Sequence, residues 1–105
     1  MNFSKYSFTT FTVTVADPAV FTSTAHELYT DDELIFETTG ALPTGLTADT
    51  VTYYVIRNGI AANTFQVSTT KGDTAGLVTT GTQSGTHTYL KVNRASLKPT
   101  YEDNR

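Results

Sequence analysis

A chain of 105 residues can form one domain with a modest hydrophobic core, and the absence of cysteine excludes disulfides, thiolate metal sites and cysteine nucleophiles. The net charge of −3 includes only seven Lys and Arg residues, which are spread along the chain and argue against nucleic-acid binding. No apolar run suits a signal peptide or a membrane span, so we expect neither.

The amino-terminal stretch, residues 1–8, has no clean periodicity, and we predict that it forms an arm. It carries the aromatic residues Phe3, Tyr6 and Phe8. Aromatic side chains are costly to leave in water, so we expect them to dock either on their own domain or on a neighbouring protein.

A β-domain is predicted over residues 9–92, because threonine is the most frequent residue and β-branched and aromatic side chains favour strands. Residues 9–16 alternate strictly, which predicts a half-buried strand with one apolar face, and Asp17-Pro18 should end it. The apolar face of this strand would comprise Phe11, Val13 and Val15.

Further strands are predicted at intervals typical of a sandwich or small barrel, and no segment indicates a helix. Leu42 and Leu46 should anchor the loop after the third strand, and Asn58-Gly59 should form the tight turn of a central hairpin. Of the adjacent Tyr53 and Tyr54, one at most can face the core; the other should pair with Phe65 or Val67 across the sheet. The predicted strands cover residues 20–24, 34–36, 51–57, 60–68, 77–80 and 87–92.

The carboxyl-terminal stretch, residues 93–105, is predicted to be a second arm. The apolar residues in it that could make contacts are Leu97, Pro99 and Tyr101, and Pro99 favours an extended backbone. The predicted fold is therefore a single all-β antiparallel sandwich or barrel, with extended amino- and carboxyl-terminal arms.

The candidates for chemistry are few. His26 with Asp31 or Asp32 lacks a diagnostic metal-ligand spacing, and no nucleophile, phosphate-loop or dinucleotide motif is present. The carboxylate pairs Asp32/Glu33 and Glu37/Asp49 are acid/base candidates by residue type alone. We therefore expect no catalytic residues, no cofactor and no metal, and we expect that the protein is not an enzyme.

The chain contains, in this order, the segments Ala25-His26, Leu28, 32–46, 52–56, 63–68 and 85–88. Together they resemble a module of tailed-bacteriophage virion proteins, which occurs in head decoration, tail and fibre proteins. The resemblance covers somewhat more than half of the chain. At three positions where the module usually has glycine, this chain has Glu27, Asp31 and Asp49, and we expect the turn near Glu27 to differ, because glutamate tolerates a positive φ poorly.

This resemblance implies a structural protein of the virion, made in the host cytoplasm. A single short domain with two arms best fits a capsid decoration, or cement, protein that binds the major capsid protein on the capsid surface and forms a homo-oligomer. The expected contact residues are those of the arms: Phe3, Tyr6, Phe8, Leu97, Pro99 and Tyr101. The alternatives are another virion partner in the tail or neck, or a carbohydrate-binding or receptor-binding tail module that uses the loop 40–50 and an exposed tyrosine.

Overall fold

The computed structural model describes residues 8–92. These residues form six strands and no helix: β1 (Phe8–Val13), β2 (Phe21–Thr22), β3 (Glu33–Thr38), β4 (Tyr53–Ile56), β5 (Thr64–Ser68) and β6 (His87–Val92). Antiparallel pairs connect them in the order β1-β2-β5-β4-β3-β6, and β6 pairs with β1 to close a barrel. The predicted all-β fold is confirmed, and of the two predicted forms it is the barrel.

Aromatic rings fill the barrel, because the inward positions of the alternating strands carry Phe and Tyr. Phe36 lies at the centre: its ring centroid is 4.8 Å from that of Tyr53, 5.0 Å from that of Phe11 and 5.4 Å from that of Phe21. Such tilted and offset ring pairs are favourable beyond the area they bury. All the rings in this cluster are almost completely buried: Phe11, Phe21, Phe36, Tyr53, Phe65 and Tyr89.

The first strand ends earlier than its sequence pattern predicts. Phe11 and Val13 are buried as expected, but Val15 is 45% exposed, because β1 ends at Val13. The chain reverses immediately afterwards: the Thr14 N–H donates to the Val20 carbonyl at 3.0 Å, and the Val20 N–H donates to the Thr14 hydroxyl at 2.9 Å. The alternation of apolar and polar residues therefore extends in the sequence beyond Val13, the last residue of the strand.

The predicted central hairpin exists as the β4–β5 pair, with Val55 opposite Val67 and both side chains buried. The predicted tight turn at Asn58-Gly59 is present, closed by the Ile60 N–H, which donates to the Arg57 carbonyl at 3.4 Å, but it does not by itself connect the two strands. Residues 57–63 connect the strands, and of this dipeptide only Gly59 has a positive φ, at 75°. The Asn58 side-chain amide instead donates to the Thr74 carbonyl, which ties this longer loop to the segment after β5.

The predicted strand at residues 77–80 is also wrong as a regular strand. Its backbone bonds to several segments in turn: the Leu77 N–H donates to Val67, the Thr79 N–H to Ala16, and Thr80 bridges Thr44. The run therefore joins two loops, those that contain Ala16 and Thr44, to β5 near one end of the barrel.

Positive φ angles occur at all three positions where the phage module that this sequence resembles usually has glycine. Glu27 has φ 56°, Asp31 has φ 75° and Asp49 has φ 72°, and Ala25 adds a fourth non-glycine residue at φ 50°. Asp is tolerated in this left-handed region better than Glu or Ala. Glu27 therefore adopts the backbone conformation that suits glycine.

The two adjacent tyrosines of β4 separate as the strand alternation requires. Tyr53 is buried and its hydroxyl accepts the Thr47 N–H at 2.8 Å, whereas Tyr54 is half-buried on the outer face. The predicted partner of the outer tyrosine is wrong, because the register places Tyr54 opposite Ser68 on one side and Glu33 on the other. Leu46 is buried and Leu42 packs against the core, as predicted for their loop.

Candidate interaction site

Of the six predicted contact residues, the structure describes Phe8. It is the first residue of β1 rather than part of an arm, and its side chain is 52% exposed on the outer face of the barrel. The other five lie outside the described residues: Phe3, Tyr6, Leu97, Pro99 and Tyr101.

The first and last described residues, Phe8 and Val92, lie at the same end of the barrel. Phe8 lies opposite Leu90 in the β1–β6 pair, two residues before β6 ends at Val92. Residues 1–7 and 93–105 are therefore attached to neighbouring strands at this end, which we call the terminal end. The opposite end, where β6 begins at His87, is covered by the loops 39–50 and 77–86 and is called the loop end.

A row of apolar side chains crosses the outer face near the terminal end. Leu90 of β6 lies opposite Phe8 of β1 and also opposite Ile35 of β3, so the three side chains are neighbours across adjacent strands. Phe8 is exposed, and Leu90 and Ile35 are half-buried. We call Phe8, Leu90 and Ile35 the outer strip. Contiguous apolar surface of this kind is typical of an interaction site.

An aromatic residue and an ion pair lie at the rim of the terminal end. The Lys91 ammonium is 3.3 Å from an Asp32 carboxylate oxygen and 5.9 Å from the centroid of the Tyr29 ring. The Tyr29 N–H donates to the same Asp32 side chain at 2.7 Å, and the Tyr29 side chain is 71% exposed. These contacts hold an exposed aromatic ring beside the start of β3.

At the loop end, a buried histidine is held through both ring nitrogens. The Gln83 amide donates to the Val13 carbonyl, so its oxygen must accept from His87 Nε2, at 2.9 Å. His87 Nδ1 is therefore the unprotonated nitrogen, and it accepts from the Thr38 hydroxyl at 2.8 Å. Burial lowers the pKa of His87 from its ordinary value of 6.5. Gln83 and His87 line one wall of a groove of about 360 Å³ between residues 10–13 and residues 83–87.

The other histidine is also fully engaged. His26 Nδ1 accepts the Leu28 N–H at 2.8 Å, so Nε2 carries the proton and donates to the Thr64 carbonyl at 3.0 Å. Asp32, a partner considered for a metal site, binds Lys91 instead. Within residues 8–92 there is no cluster of three or more His, Asp or Glu side chains suited to a metal.

One of the two predicted carboxylate pairs does come together. Glu37 on β3 and Asp49 in the following loop interact, and the hydrogen bond from Asp49 raises the pKa of Glu37, with smaller contributions from burial and from the Asp49 charge. Asp49 is exposed, and its N–H donates to the Phe36 carbonyl at 2.9 Å. The pair lies on the outside of the barrel, away from the groove.

Sequence reasoning missed the outer strip, although Ile35 and Leu90 each show a signal. Ile35 alternates with Leu34 and Phe36, and Leu90 follows Tyr89, so a period of two places each on the face opposite a buried neighbour. Their meeting depends on the register between β1, β6 and β3, and local sequence does not fix that register.

No protein family model, curated protein or solved structure matches this chain. A helix that could cross a membrane is absent from residues 8–92. The outer strip and the rim at the terminal end together form the candidate interaction site.

Proposed function

We propose that this chain is a non-enzymatic structural protein of a bacteriophage particle, a capsid decoration protein that binds the major capsid protein and stabilises the head. The observation that carries the proposal is the position of the outer strip, next to the point where both termini leave a closed barrel. A partner bound there would contact the strip and both terminal segments at once.

The sequence resemblance supports the choice of a virion partner. The left-handed backbone at Glu27, Asp31 and Asp49 agrees with the glycines that the phage module carries at these positions. A closed barrel also suits an assembly component, because closure removes the long free strand edges through which copies would aggregate.

The carbohydrate-binding alternative finds less support. The loop 40–50 contains no aromatic residue, and the exposed Tyr29 precedes β3 whereas this loop follows it, so the two lie at opposite ends of the strand. Carbohydrate sites usually use aromatic side chains gathered beside polar groups. A tail or neck partner would use the same terminal end as a capsid partner.

The test is binding of the full chain to capsids assembled from the major capsid protein of the same phage. Cosedimentation should show saturable binding, and Phe8→Ser should weaken it about tenfold or more, because an exposed aromatic anchor is removed. Val78→Ser is the matched control, since Val78 is 44% exposed and lies in the segment at the loop end.

Absence of binding would refute the capsid assignment. Equal loss of binding in the Phe8 and Val78 variants would refute the role of the terminal end. Electron cryomicroscopy of the intact particle would then show whether the protein is on the tail instead.

A further inference from the structure

The outer strip leaves apolar surface exposed in the barrel itself, and the chain offers a segment that could cover it. Phe8 is 52% exposed, and Ile35 and Leu90 are half-buried beside it. We propose that the strip is a docking surface for the carboxyl-terminal segment of the same chain, residues 93–105, with Leu97 and Tyr101 as the anchoring residues. This inference concerns the free protein and does not rest on the proposed function.

Distance favours this segment as the occupant. Val92 is the last residue of β6 and lies two residues beyond Leu90 on the same outward face, about 7 Å along the strand. Leu97 follows Val92 by five residues, a reach of roughly 17 Å in an extended chain. The segment can therefore reverse direction and still place Leu97 over the strip. A covalently attached segment also has a high effective concentration at a site so near its attachment.

Charge complementarity favours the same occupant. On the outward face of β3, Ile35 lies between Glu33 and Glu37, and Glu37 interacts with a further carboxyl group, that of Asp49. In the carboxyl-terminal segment, Leu97 lies next to Lys98 and three residues after Arg94. An apolar side chain flanked by cations thus matches an apolar side chain flanked by carboxylates.

Docking has a consequence for binding to any partner at the terminal end. Such a partner must either displace residues 93–105 from the strip or bind on top of them. The segment would then lower the affinity of a partner that needs the bare strip, because such a partner must first undo the docking of residues 93–105. The free energy of this docking is lost from the binding free energy of the partner.

The test uses nuclear magnetic resonance of the full chain with labelled Ile, Leu and Val methyl groups. Docking predicts nuclear Overhauser effects from the Leu97 methyl protons to those of Ile35 and Leu90. It also predicts that Ile35→Thr moves the Leu97 methyl shifts to the values of an unstructured leucine. The matched control Val78→Thr, which removes exposed apolar surface elsewhere, should leave them unchanged.

A sample that mixes labelled and unlabelled chains identifies the source of the segment. Contacts within one molecule support the proposal. Contacts that arise only between molecules would overturn it in favour of a second copy as the occupant. Leu97 methyl shifts at unstructured values in the unsubstituted protein would overturn it as well and leave the strip for another partner.

Discussion

The inside of the barrel and the outer strip are both apolar, but their side chains have different surroundings. Phe36 is completely buried, and its ring contacts those of Phe11, Phe21 and Tyr53. Ile35, the preceding residue of β3, is half-buried, with Leu90 beside it and water on its outer side. The first environment stabilises the fold, whereas the second leaves surface whose burial can stabilise a complex.

The largest expected effect is on the inside, from Phe36→Ala. Removal of this ring leaves a cavity between three other rings, and such substitutions cost about 3–5 kcal/mol of unfolding free energy. Denaturant titration of the purified protein measures the loss. A loss below about 1 kcal/mol would show that the rings repack freely. The inside of the barrel would then contribute no more to the unfolding free energy than the outer strip does.

A smaller loss is expected from Thr79→Val, which tests buried polar groups at the loop end. The Thr79 hydroxyl donates to the Thr14 carbonyl at 2.6 Å and accepts the Ala16 N–H at 3.1 Å. Valine keeps the shape but leaves both backbone groups unsatisfied, at a cost of about 1–3 kcal/mol. Thr80→Val, at an exposed neighbour, is the control and should change stability little.

The pH dependence of stability tests the buried histidine. Because the pKa of His87 is lowered in the folded state, the unfolded chain binds its proton more readily. The stability that neutral His87 contributes is therefore complete above its ordinary value of 6.5 and declines as the pH falls below it. Unfolding free energies measured at about pH 7.5 and about pH 5.5 should differ more for the unsubstituted protein than for His87→Gln. Equal differences would mean that burial does not disfavour the protonated ring.

A modest gain is expected from Glu27→Gly. Glu27 has φ 56° and is exposed, and an L-residue in the left-handed region costs about 1–2 kcal/mol that glycine avoids. The greater freedom of glycine in the unfolded chain offsets about 0.5–1 kcal/mol of this, so the net gain should be about 1 kcal/mol or less. Glu27→Ala is the control and should give no gain. Destabilisation by glycine would indicate that the Glu27 side chain makes a contact worth more than the strain.

The sequence predicts the structure better in some regions of the protein than in others. The alternation of residues 87–92 predicts β6 with its correct bounds, and the β4–β5 pair is predicted from two apolar runs. The end of β1 and the course of residues 77–80 depend on hydrogen bonds such as that between Ala16 and Thr79, which are far apart in sequence. The outer strip depends on register between three strands, so its members are predictable one by one but their contact is not.

The smallest effect on stability is expected on the strip itself, from Ile35→Thr. Threonine keeps the β-branched shape that suits a strand, and the side chain already contacts water, so the loss should be less than about 1 kcal/mol. The same denaturant titration used for Phe36→Ala gives the direct comparison of two adjacent residues on β3. A loss for Ile35→Thr close to that for Phe36→Ala would make the strip part of the core. A small loss of stability for Ile35→Thr, together with altered Leu97 methyl shifts in the same variant, would show that the outer strip is available for binding. The inside of the barrel would then be the surface that holds the fold together, because only the strip can be changed without unfolding the barrel.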